Sequence, residues 1–244
     1  LRLWSATGWT ALQTDKVVQG LGVGSPSAWD DGALTSVADL HRLERITELD
    51  PVELAAWFGD MDTFEDRDAA PEPVSSLYDR TYLSPSLFPA SIREETDGVD
   101  NLFPFALNDA RNAIDAHTDL RALLDHSAKL AAVLARDVTE VEDLIVLLDD
   151  LLDTVVHPTA GTDVPGVTLT NLTRLYRWSS LARVLELSPT ESVRLAEMLQ
   201  IGPAAGDEGP FSSPTKAIAF IENAGALLAP GWSVDELDYL VNHG

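Results

Sequence analysis

The stretch Gly59–Asp68, GDMDTFEDRD, places five carboxylates in ten residues: Asp60, Asp62, Glu65, Asp66 and Asp68. So dense a set of oxygens is what a calcium loop, a phosphotransferase centre or an acid–base pair would need. A calcium loop requires oxygen ligands at positions 1, 3 and 5 and a glycine at 6. Counted from Asp60, position 5 is Phe64 and position 6 is Glu65; counted from Asp62, Phe64 already stands at position 3. Both frames fail. Asp60-Met61-Asp62-Thr63 has the Asp-x-Asp-Thr form of phosphotransferase aspartates, but those end a buried strand, whereas helical periodicity precedes this one. The stretch reads as a solvated loop that terminates a helix, and no catalytic, cofactor-binding or metal-ligating residue is assigned to it.

The other candidates fall on similar grounds. GLGVG, Gly20–Gly24, has neither the preceding strand, the spacing nor the lysine of a phosphate loop. It reads as the end of a helix that starts near Ala11. The histidines, His41, His117, His126, His157 and His243, include no HExxH and no pair at i, i+4, and are expected at the surface. No Gly-x-Ser-x-Gly elbow is present. Six tryptophans could line a ligand groove, but Trp9 and Trp232 precede helix starts, and Trp57 and Trp178 fall within apolar stripes. Core packing is the better reading for them.

Composition narrows the classes further. Against 40 acidic residues stand 16 basic ones, for a formal net charge of −24. Phosphate backbones and anionic bilayers repel such a surface, so a nucleic-acid partner is set aside. Only Lys16, Lys129 and Lys216 are lysines, a pattern expected of a high-GC genome or, more pointedly, of a salt-adapted source. The absence of cysteine removes disulfides, thiolate metal sites and a cysteine nucleophile. No apolar run reaches the ~18 residues that would span a membrane. Leu144–Val156, LIVLLDDLLDTVV, carries three aspartates and reads as a core helix. The chain opens on LRLW with no initiator methionine or signal peptide, and is expected to be cut from something longer.

These residues must be positioned by helices. A recurring start pairs a capping oxygen with Gln or Glu three residues on: Thr10/Gln13, Asp50/Glu53, Thr139/Glu142, Ser188/Glu191 and Ser233/Glu236. Pro51 and Pro189 take the first helical position, where a missing N–H costs nothing. An apolar residue precedes each cap: Trp9, Leu49, Val138, Leu187 and Trp232. The caps lie 40, 89, 49 and 45 residues apart, a spacing of about 45 with one interval doubled. Stripes at helical spacing lie between them, among them Leu169, Leu172, Leu175/Tyr176, Leu181 and Leu185, and strand alternation is absent. The expected fold is all-α, an irregular solenoid-like array of αα-hairpins. Residues 1–58 would form N-terminal hairpins, 59–106 an acidic, proline-rich insertion with short helices, and 107–244 C-terminal hairpins, all in one continuous helical domain.

Four segments carry a family resemblance. ELAAWFGDMDTFEDRD, SLYDRTYLSPSLF, LTNLTRLYRWSSLARVLELSPTE and PTKAIAFIENAGALLAPGWSVDELDYLVNH resemble the α-helical shell of the A component of insecticidal toxin complexes, the Tc toxins. The most specific pieces are Gly59–Thr63 with Ser76–Leu83, and Asn171–Leu187. The resemblance implies a structural shell segment of a very long, secreted chain. That chain would form a pentameric homo-oligomer whose channel delivers a toxic enzyme carried by B and C components. No enzyme activity, cofactor or membrane insertion is expected of this segment itself. In the insert, FEDRD is more acidic than the family pattern. The alternative is a free-standing helical-repeat adaptor that binds a partner protein or peptide.

Overall fold

A computed structural model describes residues 3–25, 28–65, 74–84, 105–114, 122–157, 161–204 and 206–243. Among these residues the chain is helical with one small sheet. The α-helices are α1 (Leu3–Thr7), α2 (Ala11–Gly20), α3 (Asp31–Thr47), α4 (Pro51–Phe58), α5 (Leu77–Tyr82), α6 (Ser127–Leu134), α7 (Val138–Leu147), α8 (Leu169–Leu185), α9 (Pro189–Met198), α10 (Pro214–Leu228) and α11 (Val234–His243). Two strands, β1 (Thr154–Val156) and β2 (Asp163–Pro165), stand between α7 and α8. The chain forms two compact units, residues 1–60 with 177–244 and residues 61–176.

One backbone device makes five of the corners. Gly8, Glu48, Ala135, Glu186 and Gly231 all have positive φ, between 53° and 91°. Each lies two residues before a helix N-cap, so a left-handed residue turns the chain and the next helix is capped almost at once. Thr10 accepts from the Gln13 N–H at 3.1 Å while its own N–H donates to Gln13 Oε1 at 2.9 Å. Ser188 and Glu191 repeat this reciprocal pair at 3.2 and 2.8 Å. Ser233 and Glu236 do so at 3.2 and 2.9 Å. Asp50 accepts from the Val52 N–H at 2.8 Å, ahead of Pro51 at the first position.

The middle corner departs from the expected Thr139/Glu142 box. Its cap is Asp137, whose N–H donates to Glu140 Oε2 at 3.4 Å, and Arg136 stands where an apolar flank was expected. Thr139 lies inside α7. The left-handed Ala135 lies two residues before Asp137, so the helix starts on the Asp137/Glu140 pair and Thr139 falls within its first turn.

In the first unit, α2 and α4 touch through glycine. A Cβ on Gly20 would stand 2.6 Å from the Ala55 carbonyl oxygen, and one on Gly59 would stand 2.8 Å from the Gly20 Cα. Gly22, at φ 70°, ends α2 with its N–H on the Gln19 carbonyl. GLGVG is thus a helix contact and a helix stop. The core gathers Leu40, Leu43, Leu54, Trp57, Trp178, Phe211 and Phe220, each under 4 % exposed. Phe211 meets Trp57 and Trp178 edge-on at ring separations of 5.5 and 5.0 Å. Leu185, expected in the interior stripe, is only half-buried; Leu181, one turn earlier, is fully buried.

In the second unit, α6 and α7 pack as a hairpin through Leu130, Ala131, Val141, Leu144 and Ile145. The core helix expected over Leu144–Val156 stops at Leu147. Leu148, Leu151 and Leu152 stay buried in turns, and Thr154–Val156 extends as β1, antiparallel to β2 with Val155 opposite Val164. Thr-Val-Val is β-branched throughout, which favours a pleated strand over another helical turn. Gly166 lets the hairpin close, since a Cβ there would come within 2.5 Å of Val155 Cγ1. Buried Asn171, near the start of α8, then holds the hairpin: it accepts from the Asp153 N–H and donates to the carbonyls of Asp153 and Gly166, at 2.7–2.8 Å.

Candidate functional site

The acidic stretch follows the C-terminus of α4, where the last carbonyls lack helical partners. Its Asp66 and Asp68 lie outside the described residues, as do 85–104 of the expected insertion. Asp60 and Glu65 are exposed, and Asp62 is half-buried. Among the described residues no cluster of three His, Asp or Glu side chains could hold a metal ion. The Asp62 carboxylate turns back on its own chain and accepts from the Phe64 N–H at 3.1 Å. This is the local turn that a short acidic side chain makes after a helix.

The structure grips the backbone of this stretch. In the first unit Arg177, buried at 7 % side-chain exposure, sends Nε to the Ala56 carbonyl and Nη2 to the Gly59 carbonyl, both at 2.8 Å. Its Nη1 meets Glu208 at 3.2 Å, so the buried guanidinium has a counter-charge. A cation at the open carbonyls of a helix C-terminus also complements the helix dipole. In the second unit the Met61 N–H donates to Thr173 Oγ1 at 3.1 Å and the Tyr78 N–H to the Asp62 carbonyl at 2.9 Å. Arg111, left-handed at φ 53°, donates Nε to the Thr63 carbonyl at 2.6 Å and clasps both oxygens of Asp79 at 2.7 Å.

Two buried tyrosines complete this frame. Tyr78 donates its hydroxyl to the Phe105 carbonyl at 2.6 Å and Tyr82 to the Leu172 carbonyl at 2.7 Å. Burial pushes both phenols well above their ordinary value, and for Tyr78 the neighbouring Asp79 carboxylate adds to the rise. Both phenols therefore keep their protons and act as donors to these carbonyls, which suits anchoring. Phe105 and His126 close the cluster, with ring centroids 6.1 Å apart. His126 is therefore buried, contrary to the surface position expected for the histidines; it starts α6 against an aromatic core.

The remaining sequence candidates are dispersed. His41 Nδ1 lies 2.9 Å from Glu44 in α3, and His157 Nε2 lies 3.3 Å from Asp125 beside the sheet. His117 lies outside the described residues, and only the backbone of His243 is described. Trp9, Trp57 and Trp178 are buried, as core packing requires, but Trp232 is 46 % exposed. No helix among the described residues is long and apolar enough to cross a membrane.

The sequence reading did not single out Arg111, Arg177 or Asn171, the polar residues with the largest structural roles. One signal was available for Arg177. In a chain this poor in cations, an arginine inside the apolar stripe Leu172–Leu181 must find acceptors in the interior. Arg111 offered no comparable signal, because its partners lie 32 and 48 residues away. Comparison with family models, with curated proteins and with solved structures returns no match to this chain.

Proposed function

We propose that this chain is a structural and interaction module, a helical shell segment of a Tc-toxin-like A component. It has no chemistry of its own in this reading. One observation carries the proposal: the pieces with the most specific resemblance are bonded to one another. Arg177 holds the Gly59 carbonyl, Thr173 holds the Met61 N–H, Tyr82 holds the Leu172 carbonyl, and the Tyr78 N–H holds the Asp62 carbonyl. Residues that carry a family likeness and also hold one another's backbone point to a shared architecture more than to a shared reaction. In the full-length protein the segment would belong to a secreted homo-oligomer, pentameric by the resemblance, that works with B and C components.

The test is the native protein from its source, purified and imaged by electron microscopy. A ring of five very long chains is the expected particle. A monomer whose whole chain is close to 244 residues would overturn the shell reading and leave the adaptor.

A further inference from the structure

We draw no further inference here: the strongest candidate, the apolar stripe of Leu240 and Val241 on the last turns of α11, is exposed, but nothing in the structure shows what covers it, and the acids beside it are already engaged, Asp235 and Asp238 by Arg194 and Glu236 by the Ser233 cap.

Discussion

The corners at Trp9 and Trp232 begin with the same local sequence, Gly-Trp followed by Thr or Ser, and they share a backbone. Gly8 and Gly231 both have positive φ, and Thr10 and Ser233 both make reciprocal pairs with the residue three positions on. Their tryptophans have different fates. Trp9 is 5 % exposed, its indole N–H donates to Glu44 at 2.7 Å, and its ring meets His41 edge-on at 5.6 Å. Trp232 is 46 % exposed. Local chemistry therefore sets the turn, whereas packing from elsewhere in the chain decides what the turn buries. A motif repeated along a sequence repeats a conformation; it does not repeat an environment.

The largest effect should separate the two corners. Replacing Trp9 by Ala is expected to cost about 3–5 kcal/mol, the usual range for a buried aromatic. Replacing Trp232 by Ala should stay within about 0.5 kcal/mol, as for a surface change. Urea unfolding of the two variants checks this, and equal losses would break the comparison.

The next effect should unite them. Putting Ala at Gly8 or Gly231 should destabilise by about 1–2 kcal/mol, because the left-handed region penalises a Cβ. An added Cβ meets nothing within 4 Å at either position, so the loss would be conformational and alike at both. Replacing the caps, Thr10→Ala and Ser233→Ala, should cost roughly 1 kcal/mol each. The reverse change at a left-handed non-glycine, Glu186→Gly at φ 58°, should stabilise by some tenths of a kcal/mol once the freer unfolded chain is counted. Thermal melts of these variants would show whether the corners are interchangeable.

The smallest effect sharpens a difference within the shared box. Its third residue is Gln13 at one corner and Glu236 at the other. The Ser233 N–H, and then its hydroxyl, hold the Glu236 carboxyl below the usual glutamate range. A carboxyl with a depressed folded pKa adds stability that is present above the ordinary glutamate pKa and lost as pH falls through the depressed one. Acid should therefore loosen the Ser233 box through Glu236, while Gln13 does not titrate. A carbon-13 titration of the Glu236 carboxyl should show the low value, and Ser233→Ala should return it towards the ordinary one.

Sequence patterns read the helices and four of the five capped corners because both arise within a few residues. Caps, Pro51, Pro189 and the apolar stripes report local backbone preferences and one buried face. The middle corner was misplaced by two residues because Asp137/Glu140 and Thr139/Glu142 both have the spacing of a capping box, and neither is followed by a proline such as Pro51 or Pro189 to mark the first helical position. The small sheet was missed because Leu148, Leu151 and Leu152 prolong a helical stripe beyond the turn that ends α7. What holds the acidic stretch was not legible in the sequence. Arg111 and Arg177 reach carbonyls 48 and 118 residues away, and carbonyls carry no sequence signature.

The central claim is that the acidic stretch after α4 is held through its backbone and not through its carboxylates, and one paired measurement tests it most directly. Unfolding free energies of Arg177→Met and Asp60→Asn would be compared in the same buffer. Removing the guanidinium leaves the Ala56 and Gly59 carbonyls without that donor and takes the counter-charge from Glu208, so a loss of about 3–5 kcal/mol is expected. Neutralising exposed Asp60 should change stability by no more than about 0.5 kcal/mol. A tolerated Arg177→Met together with a strongly destabilised Asp60→Asn would contradict the account, because a carboxylate and not the backbone would then be holding the stretch.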